Sequence, residues 1–216
     1  LLQIAACYTT ARVEVAVLPT MLFIQVGGTH EMEGSAQPSS QLDMAARVDE
    51  IAGLARAGAI TPRDAVDAVH AARNQPPRFG SLPTILGYSL TSAGFGMVIE
   101  PTWKALLAHL FLGLVVGLIV AINRPFPNLT PILPTVSAVV VTLLATWFVA
   151  DVADDGLLRI ISPALIAMLP GMALVIGSIE LAGGRIVSGA SRTVYGLAQL
   201  GLMVYGVVIG VRIAGE

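Results

Sequence analysis

Between residues 83 and 213 the chain carries five apolar stretches, near 83–99, 103–122, 131–150, 160–180 and 193–213, separated by short polar joins. At about 1.5 Å per residue, each is close to the length that crosses a hydrocarbon layer roughly 30 Å thick. In lipid the backbone N–H and C=O groups must be satisfied within the segment, which a helix does and an isolated strand does not. Composition agrees: 55% of the 216 residues are hydrophobic and 12% are charged, about half the charged share of a soluble domain. Mean hydropathy is +0.80. A soluble fold of this size has too little polar surface to cover so much apolar area. The sequence therefore predicts a polytopic α-helical membrane protein. About five transmembrane helices occupy residues 81–216, behind a small soluble α+β region at residues 1–80 that holds most of the ionisable groups.

Within residues 1–80, Val13, Val15 and Val17 alternate with Glu14 and Ala16, the pattern of a half-buried strand. Met21–Val26 reads as a second strand, ended by Gly27-Gly28, and the two can pair as a hairpin around Leu18-Pro19-Thr20. Residues 34–40 read as a polar loop. Leu42, Ala46, Val48, Ile51, Leu54 and Ala55 have helical spacing, stopped by Gly58. Thr61-Pro62 opens a further helix, with a capping hydroxyl before a proline at the first helical position. Pro76-Pro77 breaks the chain before the apolar part. Leu1–Ala6 reads as the tail of a helix, so an earlier start is expected, and no signal peptide is visible.

Several function classes fall away. The net charge is −2, and the twelve Lys and Arg residues form no basic patch, which argues against nucleic acid. Cys7 is the single cysteine. No Cys/His grouping has metal-ligand spacing, so neither metal nor cofactor is expected. There is no phosphate-binding loop, no GxSxG, no HExxH and no defensible carboxylate pair, so no catalytic residue is assigned and an enzyme is not expected.

Orientation follows from the basic residues flanking the spans. With a cytoplasmic N-terminus, Arg73, Arg78, Arg124, Arg185 and Arg192 lie inside and Lys104, Arg159 and Arg212 outside, five against three. The join carrying Asp151, Asp154 and Asp155 then also lies outside. The expected setting is a bacterial cytoplasmic membrane, with the lipid bilayer as solvent, N-terminus in and C-terminus out. An odd span number means that a following five-span unit would insert upside down, a common construction for secondary transporters. The expected partner is such a second half, downstream or in a separate subunit; a homo-oligomer is a further arrangement.

Within the spans, Pro170-Gly171 interrupts the middle of the fourth. Proline removes a donor and glycine loosens the helix, and a broken helix at membrane depth exposes backbone groups that can hold a solute. A packed kink is the plainer alternative. Pro134 with Ser137 in the third span, and Ser178 in the fourth, are further candidates for binding substrate. Glu180 is the acid nearest the hydrocarbon. It is either a carrier of a coupling proton or an interfacial carboxylate paired with Arg185 or Arg192. His109 is either a proton relay or a neutral interhelical hydrogen-bonder. Gly113 and Gly117 form GxxxG in the second span; Gly87, Gly94 and Gly96 lie in the first and Gly201, Gly206 and Gly210 in the fifth, a composition suited to close helix packing. Thr142, Thr146, Tyr195, Gln199 and Tyr205 either line a polar path or serve packing and the interface.

Read together, Ala11–Gly27 (ARVEVAVLPTMLFIQVG), Arg47–Val69 (RVDEIAGLARAGAITPRDAVDAV), Pro76–Gly80 (PPRFG) and Pro163–Gly196 (PALIAMLPGMALVIGSIELAGGRIVSGASRTVYG) resemble the threonine/serine exporter family in its actinobacterial form. The order and spacing of these segments carry the resemblance across essentially the whole chain. It implies a secondary exporter of small hydroxy amino acids, driven by the proton-motive force, with about ten spans in two five-span units, of which this chain resembles the first. Some relatives split the two units and are associated with dicarboxylate export, which is the alternative function. A membrane-anchored sensor or assembly subunit is the alternative from a different class.

Overall fold

The alternating valines pair as their spacing requires. In the computed structural model, which describes residues 1–17, 21–34, 42–75, 79–148 and 156–215, β1 (Val13–Val17) runs antiparallel to β2 (Met21–Val26), and Val13 and Val15 lie opposite Val26 and Ile24. The sheet does not stop there. Gly27-Gly28 forms a two-residue turn into β3 (Thr29–Gly34), with Thr29 opposite Val26 and Gly27 at φ 61°. Glycine permits the left-handed conformation that tight hairpins need. The third strand, THEMEG, lacks an apolar alternation and has no strand signature in the sequence. The Leu18-Pro19-Thr20 interruption, residues 35–40 of the expected loop, Pro76-Pro77, residues 149–150 and the Asp151–Asp155 join lie outside the described residues.

The helices of this region are α1 (Leu2–Tyr8), α2 (Leu42–Arg56) and α3 (Pro62–Arg73); α1 packs on β1 and on α2, and α2 packs on α3. Gly58, at φ 66°, ends α2, and the Ala59 N–H returns to the Leu54 carbonyl at 2.9 Å. Thr61 caps α3: its hydroxyl oxygen accepts from the Asp64 N–H at 3.2 Å, with Pro62 in the first turn. These elements belong to one compact unit, Leu1–Arg78; Phe79–Glu216 forms the other.

The second unit is a helical bundle: α4 (Ser81–Ile99), α5 (Trp103–Asn123), α6 (Leu133–Phe148, entered through a 3-10 turn at Pro127–Ile132), α7 (Leu157–Leu165), α8 (Gly171–Ala182) and α9 (Ile186–Ala214). Among the described residues, four helical stretches are long and apolar enough to cross a bilayer: Ser81–Ile99, Trp103–Asn123, Asn128–Phe148 and Ile186–Ala214. A fifth is divided, Leu157–Met168 meeting Gly171–Ala182 at a 64° bend. Two twelve-residue arms so bent still reach about 30 Å end to end, the thickness of the hydrocarbon. The last helix begins at Ile186 rather than near residue 193, because the polar run Ser188–Arg192 is accommodated on a helix facing α8.

The core gathers around the short α7, which packs on α4, α5 and α6. Its Ile160, Ile161 and Ala164 are buried with Leu112 and Val116 of α5, Val141 and Ala145 of α6, and Met203 of α9. By contrast α8 packs extensively on α9 alone among the described elements, leaving Met172, Val175 and Ile179 exposed. Glycines set the helix spacings. A Cβ on Gly117 would fall 2.7 Å from Ile85 Cα, and one on Gly210 2.7 Å from Thr142 Cβ, whereas Gly87, Gly94 and Gly201 face open space.

Gly117→Ala is therefore expected to force α4 and α5 apart and to cost about 1–3 kcal/mol, read as a lower thermal midpoint of the detergent-solubilised protein. Gly87→Ala should leave the midpoint unchanged or slightly higher. Equal midpoints for both variants would contradict the α4–α5 contact.

Candidate functional site

Among the described residues of the bundle, buried polar groups gather at two helix contacts. The first is the seam where α4 and α5 meet near α7. His109 on α5 is fully buried, and its ring lies directly on Gly96, where a Cβ would fall 2.0 Å from His109 Cδ2. Only a glycine on α4 leaves room for that ring. One turn along, Ser92 lies against Gly113, whose added Cβ would meet Ser92 Cβ at 2.5 Å. Ser89 donates its hydroxyl to the Leu110 carbonyl at 2.8 Å. Glu100 directly follows the last residue of α4. Yet neither His109 nitrogen has a well-formed hydrogen bond among the described residues, nor do Ser92 Oγ and Glu100 Oε2. Such unsatisfied groups are costly inside a bundle and single out this seam. Glu100, Ser92 and Ser89 were not singled out from the sequence; the signal for the serines is their helical offset of four and seven residues from Gly96, which places them on the same face of α4.

The second place is the α8–α9 contact. Gly177 and Gly189 bring the two backbones together: a Cβ on Gly189 would lie 2.7 Å from both the Gly177 carbonyl oxygen and the Leu181 nitrogen. This approach places Glu180, 9% exposed, beside the next helix. The Ser188 hydroxyl donates to Glu180 Oε2 at 2.7 Å, and Arg192 Nε lies 3.2 Å from the same oxygen. The Arg192 contact is an ion pair without hydrogen-bond alignment. Of the two arginines considered as partners, Arg192 makes the side-chain pair, while Arg185 meets Glu180 only through its backbone N–H, 2.8 Å from the Glu180 carbonyl.

The remaining candidates are dispersed. Pro170 precedes the first turn of α8, with the Gly171 N–H bonded to the Leu169 carbonyl at 2.8 Å and the Leu174 N–H to the Pro170 carbonyl at 3.1 Å. Ser178 is exposed and donates to the Leu174 carbonyl at 2.8 Å. Ser137 on α6 is fully buried with no partner for its hydroxyl among the described residues, and the same holds for Thr142. Helix α6 packs on α5, α7 and α9, whereas α8 packs extensively on α9 alone, so among the described elements no extensive interface joins Ser137 to the Pro170–Ser178 stretch. Thr146 donates to the Thr142 carbonyl, and Tyr195 and Tyr205 are exposed. Among the described residues no group of three or more His, Cys, Asp or Glu could hold a metal ion.

Apolar helices of spanning length with sparse polar groups between them define a multi-pass membrane protein. The sequence model of the ThrE family, described as "Putative threonine/serine exporter", matches residues 1–214, and the chain belongs to that family. Comparisons with curated proteins and with solved structures returned no match.

Removing Arg192 alone leaves a nearly buried carboxylate with a single hydroxyl partner. Breaking a fully buried pair costs about 3–5 kcal/mol, and screening at the partly exposed guanidinium reduces this to about 1–2 kcal/mol. Arg192→Ala should therefore lower the thermal midpoint, and adding Glu180→Gln should recover part of the loss. Strictly additive losses would contradict coupling between the two charges.

Proposed function

We propose that this chain is a five-span unit of a secondary transporter that exports threonine, serine or a similar small amino acid in exchange for protons. The observation that carries the reading is the division of the fourth apolar segment at Leu169–Gly171, in a chain belonging to a family described as exporters. A bent span frees amides at the start of α8 and carbonyls at the end of the preceding turn, groups that can contact the two ends of an amino acid. Pro170 and Gly171 form that break; Ser137, with its buried unpartnered hydroxyl, and Ser178 are the further candidate substrate contacts.

The unit inserts with its N-terminus cytoplasmic, so the Glu180 end of the broken span opens inside and the Glu100–His109 end of the α4–α5 seam lies outside. Residues 1–78 then face the cytoplasm. A second five-span unit of opposite orientation completes the pathway, with substrate between the two. No ATP-hydrolysing motif is present, so the proton gradient supplies the drive, with Glu180 and His109 as the groups that exchange protons. For an antiporter, proton and substrate must compete; a carboxylate that holds the substrate's ammonium loses it on protonation. Dicarboxylate export fits less well, because Arg192 in the α8–α9 contact has the Glu180 carboxylate beside it, which repels a second anionic group.

Cells carrying the complete gene and loaded with a threonine dipeptide should release labelled threonine faster than vector controls, and an uncoupler should remove the excess. Glu180→Gln should abolish the pH-driven component with membrane expression intact. Efflux by that variant equal to wild type would exclude Glu180 as proton carrier. No excess efflux by the wild type would exclude threonine export.

A further inference from the structure

The Glu180–Arg192 pair does more than join two helices. We propose that it is a zwitterion-recognition site at the cytoplasm-facing mouth: Arg192 takes the substrate's carboxylate and Glu180 its ammonium. The inference rests on the exporter reading given above, and names the residues that would read the substrate's two charges.

Three observations carry it. First, the pair is built into the fold: the Gly177–Gly189 approach leaves no freedom in the helix spacing, and Glu180 is held 9% exposed with Ser188 on one oxygen. Second, the pairing is incomplete. Arg192 meets Glu180 through Nε without hydrogen-bond alignment, and its side chain is 38% exposed. The terminal nitrogens of the guanidinium make no recorded hydrogen bond among the described residues, and two parallel N–H donors are the fork that matches a carboxylate. Third, there is room to open. Helix α8 packs extensively on α9 alone, so no third described helix closes over the pair.

An opposite-charge pair a few ångströms apart presents the complement of an amino acid, whose ammonium and carboxylate are likewise close together. Inserting the substrate between them replaces one poorly aligned ion pair with two charge-assisted contacts. A single-charged solute leaves one member of the opened pair unpartnered, which is costly at a buried position. The site therefore prefers zwitterions to anions or cations. Two further arginines lie at this end among the described residues: Arg185 meets Glu180 through its backbone N–H, and Arg124 donates to the Phe79 carbonyl and to Thr84 Oγ1.

The test uses the complete gene product reconstituted in proteoliposomes, with counterflow of labelled threonine competed by unlabelled threonine or by threoninamide, which keeps the ammonium and lacks the carboxylate. In the wild type, threonine should compete far better than threoninamide. Arg192→Gln should weaken threonine roughly ten- to a hundredfold, as expected for losing a charged hydrogen-bonding partner, while threoninamide is unchanged, so that the preference collapses. Arg192→Lys, which keeps the charge and protects against misfolding, should restore part of the preference. Equal loss for both solutes in Arg192→Gln, which leaves its preference unaltered, would overturn the site and leave the pair a structural clasp. A wild type that exchanges no threonine would overturn the exporter reading itself, and the site with it.

Discussion

Lipid offers no hydrogen bonds, so a chain that breaks its helix inside an apolar layer must place the break where protein can receive it. At Leu169–Pro170–Gly171 the helix stops and restarts at 64°. The bundle is arranged around that event. The arm before the break, α7, is enclosed by α4, α5 and α6, and its Ile160, Ile161 and Ala164 are almost completely buried. The arm after it, α8, leaves that enclosure and lies along α9. One half of the span is thus locked, and among the described elements the other packs extensively on α9 alone.

Between helices in lipid there is little hydrophobic drive, and close approach takes its place. Gly113 and Gly117 let α5 lie on α4; Gly206 and Gly210 let α9 lie on α6, with added Cβ atoms falling 2.7 Å from the Thr135 carbonyl and from Thr142 Cβ; Gly177, Gly189 and Gly196 do the same for α8 and α9. The long α9 therefore joins two parts of the bundle, its first half to α8 and its second to α6. The same glycines create the polar geometry. Gly96 admits the His109 ring, and the Gly177–Gly189 crossing brings Glu180 to Ser188 and Arg192.

Hydropathy is local, so the apolar segments can be read directly from the sequence, as can the Thr61 cap, the Gly58 stop and the pairing of Val13 and Val15 with β2. What could not be read depends on a neighbour. The strand Thr29–Gly34 is polar and is defined by its partner across the Gly27-Gly28 turn. The run Ser188–Arg192 looks like a join until Glu180 is placed beside it, which is why α9 starts earlier than expected. Glycines identical in sequence separate into those at a contact, such as Gly96 and Gly117, and those facing nothing, such as Gly87 and Gly201. Glu180 could be paired from sequence with Arg185 or Arg192, and only the helical phase of α9 decides between them. The His109–Ser92 seam is invisible in one dimension because its members lie on two antiparallel helices.

The most direct test of the broken span is the side of the membrane on which its two ends emerge. In a Cys7→Ser background of the complete gene product, Leu158→Cys and Ala182→Cys would each be treated with a membrane-impermeant maleimide in intact cells and in inverted vesicles. Both positions are exposed at opposite ends of the bent pair. Labelling of Leu158→Cys only from outside and of Ala182→Cys only from the cytoplasmic face is the expected result. Labelling of both from the same face would make the pair a re-entrant loop, leave four spans, and remove the basis for the exporter architecture described above.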